Sequence, residues 1–132
     1  MLLPGWLLRY TTVWYYHNVE FIESRPFTRK LHLLAGDGAD DVLRAIQADL
    51  GRSPGRGSMV PGLGGVRKAR IANPGRGKGK RGGYRYLYLY LERRRHTHLL
   101  FLLDKNEQED AGEEQRKQIR EWVAQIKRAS GE

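Results

Sequence analysis

The chain predicts a small α+β fold: an antiparallel, twisted sheet of about four strands with an N-terminal helical hairpin and a C-terminal helix. Three observations carry this. Tyr84–Leu91 alternates strictly, with four tyrosines on one face and Arg85, Leu87, Leu89 and Leu91 on the other, which is the period of a strand. Phe27, Leu31 and Leu34, then Val42, Leu43, Ile46 and Leu50, recur with the helical period. Ile119, Trp122, Val123 and Ile126 repeat that period near the C-terminus.

Residues 1–18 are apolar and aromatic, and they read as an N-terminal extension preceding a domain over 19–130. They lack the basic start and small-residue cleavage site of a signal peptide, and Pro4 and Gly5 interrupt the apolar run. An extra strand and a membrane-proximal anchor are the alternatives. Val19–Ile22 alternates as a short strand. Ser24 and Pro26 open the first helix, and Gly36-Asp37-Gly38 breaks it. Asp40 or Asp41 is expected to cap the second helix, which Gly51 ends.

Arg52–Gly57 is a loop of Gly, Ser, Pro and Arg. Gly65–Ile71 reads as a strand with Val66, Lys68 and Arg70 on one face and Arg67, Ala69 and Ile71 on the other. A basic, glycine-rich loop, Ala72–Gly82, leads into Tyr84–Leu91. That strand and the apolar run Thr97–Leu103 read as central, covered on both faces. In the last helix, Glu113 and Glu114 in the first turn and Lys127 and Arg128 in the last complement the helix dipole.

The 132 residues suffice for one domain. Without cysteine there is neither a disulfide framework nor cysteine-ligated zinc, which fits a reducing cytoplasm. No apolar run approaches the ~20 residues of a membrane span. The net charge of +9 is not spread evenly. From Leu50 to Leu91 there are ten Lys or Arg and no acid, so this stretch carries +10 and the remainder −1. Such a concentration of cations points to an anionic partner, above all a phosphate backbone.

Gly75-Arg76-Gly77-Lys78-Gly79-Lys80 invites comparison with a phosphate-binding P-loop. The spacing is wrong, no Ser or Thr follows Lys80, and a strand comes next. A loop gripping nucleic-acid backbone remains, through Arg67, Arg76, Lys78, Lys80 and Arg81. His96 and His98 share a strand face without an evident third ligand, so no metal site is expected. The acids Glu107, Glu109, Asp110, Glu113 and Glu114 read as a solvated helix start. Lys68, Arg70 and Arg85 converge if their strands pair as a hairpin, and no acid lies nearby in sequence to neutralise them. Side-by-side cations repel, so they make a poor stability device and a good phosphate site.

These residues resemble the RelE superfamily of type II toxin–antitoxin toxins, in its HigB-like branch. The match runs over about residues 19 to 128. It is carried by Val19-Glu20-Phe21-Ile22-Glu23, Phe27-Thr28-Arg29, Pro61-Gly62-Leu63-Gly64-Gly65-Val66-Arg67-Lys68, Gly77-Lys78, Arg81-Gly82-Gly83 and Asp104-Lys105-Asn106-Glu107-Gln108-Glu109-Asp110. The resemblance implies a cytoplasmic bacterial endoribonuclease that cuts mRNA on the ribosome, contacts ribosomal RNA and needs no cofactor or metal. It implies an antitoxin partner with a helix-turn-helix domain, through which alone operator DNA is reached, and no membrane. Lys68 and Arg70 match the family's basic pair, Arg85 its strand arginine, and Lys105 stands nearest its further basic residue. Arg85 is then expected to stabilise the transition-state charge, Lys68 to act as general base and Arg70 to hold the phosphate. Some members place a catalytic tyrosine in the C-terminal segment, but no tyrosine follows Tyr90 here. A ParE-like gyrase inhibitor and a plain basic RNA-binding protein are the rival expectations.

Overall fold

A computed structural model describes residues 7–13, 19–72, 83–104 and 111–131. The elements in order are β1 (Leu7–Val13), β2 (Val19–Ser24), α1 (Arg25–Ala35), a 3-10 turn (Gly36–Gly38), α2 (Ala39–Arg52), β3 (Ser58–Met59), β4 (Arg67–Ile71), β5 (Tyr84–Leu91), β6 (His96–Asp104) and α3 (Glu113–Ser130). The fold is α+β, with one sheet between two helical layers.

The sheet corrects the expectation in two respects. Among the described residues it has six strands, not about four, in the order β1-β2-β6-β5-β4-β3. It is also mixed rather than antiparallel, because β2 runs parallel to β6. Helices α1 and α2 and three further strands separate β2 from β6 in sequence. That long connection lets the chain return in the same direction, which a short hairpin cannot do. The two-residue β3 is too short to show a periodicity. The strand reading of residues 1–18 holds for Leu7–Val13, which pairs antiparallel with β2 at the sheet edge.

The strict alternation of β5 sorts the core. Tyr84, Tyr86 and Tyr88 pack with Phe27 and Leu31 of α1 and with Val42, Ile46 and Leu50 of α2. Leu87, Leu89 and Leu91 pack on the other face with Ile119, Trp122, Val123 and Ile126 of α3. Both faces of β5 are therefore covered, as its apolar alternation predicts. Phe101 stacks on Trp122 with ring centroids 5.1 Å apart.

Leu100 is an extra residue in β6. Leu87 pairs with Phe101 and Tyr88 with Leu99, so the ladder skips Leu100. The bulge turns Leu100 and Phe101 both toward the α3 side while Leu99 stays with α1 and α2. Ser24 secures it. Its hydroxyl accepts from the Phe27 N–H at 3.1 Å as the α1 N-cap and donates to the Leu100 carbonyl at 2.6 Å. One side chain thus fixes both the start of α1 and the bulge.

The expected aspartate cap of α2 is not formed. Gly38 is the N-cap and makes no side-chain bond, while Asp40 and Asp41 lie in the first turn, where they favour the dipole instead. The helix also runs one residue past Gly51, to Arg52. Gly112 caps α3, and its N–H donates to the Gln115 side chain at 2.9 Å. Among the described residues no helix is long and apolar enough to cross a membrane.

His98 is buried in β6, 3% exposed. Burial, with a smaller contribution from His96, lowers its imidazole from the ordinary 6.5 to about 3. The unfolded chain takes up a proton here below pH 6.5, whereas the folded chain does not. The neutral ring therefore stabilises the fold fully above pH 6.5, and this contribution fades as pH falls from 6.5 toward 3. Between pH 6.5 and 5 the parent should lose about 2 kcal/mol more than His98→Leu, read by urea unfolding at each pH. Parallel pH dependences in the two proteins would contradict this.

Candidate phosphate site

The site follows from how β4 meets β5. The two strands pair antiparallel, with Lys68 opposite Leu87 and Arg70 opposite Arg85. Lys68, Arg70 and Arg85 therefore share the face expected from the alternation, at the end of β5 where the basic loop enters it. Arg70 and Arg85 are direct cross-strand neighbours. Like charges so placed are destabilising, by a few tenths to about 1 kcal/mol.

The three residues line a pocket of about 300 Å³ with Arg56, Gly57 and Ser58. No carboxylate lines it among the described residues. Arg85 is 9% exposed, and its Nε is buried without a hydrogen-bond partner among the described residues. A buried guanidinium left short of an acceptor costs roughly 1–3 kcal/mol or more. Arg70, in contrast, is exposed, and Lys68 is half-buried. The pocket thus grades from a deep, fixed arginine to cations reaching solvent.

Arg56 and Ser58 were not singled out by sequence reasoning. The signal was there in part, since Arg56 lies within the acid-free stretch. Its approach to β4 depends on β3, which the pattern does not reveal. The Arg56 guanidinium pairs with the Asp49 carboxylate of α2. The loop leading to β3 is pinned by Tyr88, whose hydroxyl accepts from the Gly57 N–H at 2.9 Å and donates to the Pro54 carbonyl at 2.8 Å. Burial pushes the Tyr88 phenol up, with the Gly57 bond and Arg67 opposing, so it remains a donor at neutral pH.

Arg67 does not join the pocket. It lies on the other face of β4, and its guanidinium donates to the Gly55 and Gly57 carbonyls at 3.1 and 2.7 Å. Arg76, Lys78, Lys80, Arg81 and Lys105 lie outside the described residues. His96 lies 2.9 Å from a Glu20 carboxylate oxygen, and no group of three candidate metal ligands forms among the described residues.

The backbone adds a further feature. The Val60 N–H donates to the Val66 carbonyl at 2.9 Å, so Val66 directs its polar groups toward β3. Every second residue of a strand points the same way, which includes Lys68 and Arg70. Ser58 covers Lys68, but β3 ends there. The backbone of Arg70 therefore faces the pocket side of the strand edge beyond β3.

No protein-family model matches the sequence.

Proposed function

We propose that the chain is the toxin of a type II toxin–antitoxin pair and acts as a ribosome-dependent endoribonuclease on mRNA. One observation carries the reading: buried Arg85, whose Nε has no partner among the described residues, stands beside Arg70 and Lys68 in a pocket with no carboxylate among its described lining. Such a group gains most from an anion, because the missing acceptor is then supplied by the ligand. The RelE-like motifs supply the reaction and the antitoxin partner, and both belong to the proposal.

In this mechanism the nucleophile comes from the substrate. A ribose 2′-oxygen attacks the adjacent phosphorus and forms a 2′-O–P bond. The P–O5′ bond breaks, leaving a 2′,3′-cyclic phosphate and a 5′-hydroxyl. Lys68 in its neutral amine form takes the 2′-OH proton, and the 5′-oxygen gains one from solvent. Arg70 holds the phosphate from the open side. Arg85, fixed within the sheet, meets the charge that develops on the equatorial oxygens. A guanidinium held by a strand is placed more accurately than one on a loop.

Induced expression in a bacterial host tests the reading. It should arrest growth within one doubling and produce mRNA cleavages inside translated regions, mapped by primer extension, while DNA supercoiling by gyrase is unimpaired in the presence of the purified protein. Arrest with intact mRNA and inhibited gyrase would replace it with the ParE-like reading. Unimpaired growth would leave a non-toxic RNA binder.

A further inference from the structure

A second cleft opens on the other side of β3. It holds about 800 Å³ and is lined by Arg67, Arg93, Lys127 and Glu92 around glycines of the β3–β4 region. Two of its three cations are fixed by carbonyls rather than carboxylates. Arg67 donates to Gly55 and Gly57, and the Lys127 Nζ donates to the Gly64 carbonyl at 2.7 Å. These bonds orient the cations without neutralising them. Three cations against one acid leave the cleft positive.

The β5–β6 turn is built to present Arg93. Arg95 takes a left-handed conformation, φ 55°, that an L-residue adopts at a cost, and its carbonyl accepts from the Glu20 N–H at 2.9 Å. The Arg94 Nε donates to the Ser130 carbonyl at the end of α3, 2.8 Å away. With the turn anchored on both sides, exposed Arg93 makes no hydrogen bond or ion pair among the described residues.

The two openings share a wall. Gly57, Ser58 and Lys68 line the first, and Gly55, Met59 and Arg67 line the second. Arg85 and Leu91, at opposite ends of β5, lie about 20 Å apart along the strand. We propose that the second cleft binds RNA backbone, and that with the first pocket it makes one cationic track along the β3 edge for a single strand. The choice of RNA rests on the function proposed for the first pocket, while the cleft's cations stand independently of it. Half-buried Tyr90 and exposed Met59 give bases an apolar surface beside the cations.

The probe is a fluorescein-labelled 12-nucleotide RNA, 2′-O-methylated so that it cannot be cut, titrated by anisotropy at several salt concentrations. Arg93→Glu, on an exposed turn and checked by circular dichroism, should weaken binding at least fivefold at low salt and lower the salt slope by about one to two. Parental affinity and slope in Arg93→Glu would overturn the cleft and leave the first pocket's reading intact. No binding of the probe by the parent would overturn it as well and favour an acidic protein as occupant. Weakened binding by Arg93→Glu in a parent that fails to cleave mRNA would support the cleft while defeating the nuclease.

Discussion

Arg85→Ala should abolish growth arrest and lower mRNA cleavage on translating ribosomes about a hundred- to a thousand-fold, the roughly 2.7–4 kcal/mol lost when one charge-stabilising donor is removed. The size follows from its setting. Arg85 is buried opposite Arg70, and its Nε has no partner among the described residues. A surface phosphate contact would cost far less. Arg85→Lys should restore activity only in part, since an ammonium cannot offer two parallel donors. Arg85→Met separates chemistry from folding. It keeps an apolar stem in the sheet and removes the buried charge and the cross-strand repulsion. It should therefore be inactive yet at least as stable as the parent in urea. A folded Arg85→Ala that cleaves at the parental rate would remove Arg85 from the chemistry.

Gly83→Ala should be the most damaging glycine-to-alanine change among the described residues. A Cβ on Gly83 would stand 1.8 Å from the Ile71 carbonyl oxygen, 2.8 Å from its carbon and 2.9 Å from the Ala72 Cα. All three are backbone atoms, so no rotamer change relieves the clash and the base of the β4–β5 pair must spread. That base holds the pairs Ile71–Tyr84 and Arg70–Arg85. The expected cost is about 3 kcal/mol or more in urea unfolding, with cleavage lost in whatever fraction folds. A parental unfolding midpoint would contradict the packing at this point. The requirement is close approach alone, since Gly83 is not among the glycines with positive φ.

What the sequence made legible was local. The alternation of β5 sorted Tyr84, Tyr86 and Tyr88 from Leu87, Leu89 and Leu91 correctly, because each face packs on a different helical layer. The same alternation put Lys68, Arg70 and Arg85 on one face, and antiparallel pairing then set Arg70 against Arg85. What it hid was non-local. The parallel pairing of β2 with β6 is decided by how the chain crosses the helical layer, and no residue pattern records that. Arg56 reaches the pocket through a two-residue strand and a tyrosine clasp from the middle of β5. The cap of α2 went to Gly38 because the 3-10 turn ends there and the helix begins at Ala39, which leaves Asp40 and Asp41 already inside its first turn.

The most direct test of the central claim is the chemistry of the cut end. Translating ribosomes carrying a 5′-labelled mRNA are treated with the purified protein, and the upstream fragment is analysed. Attack by the substrate's own 2′-OH predicts a 2′,3′-cyclic phosphate or its 3′-phosphate hydrolysis product, and no cut where the nucleotide before the break is 2′-deoxy. A 3′-hydroxyl on that fragment, or cutting that persists at the deoxy position, would contradict a pocket of cations acting on the phosphate alone.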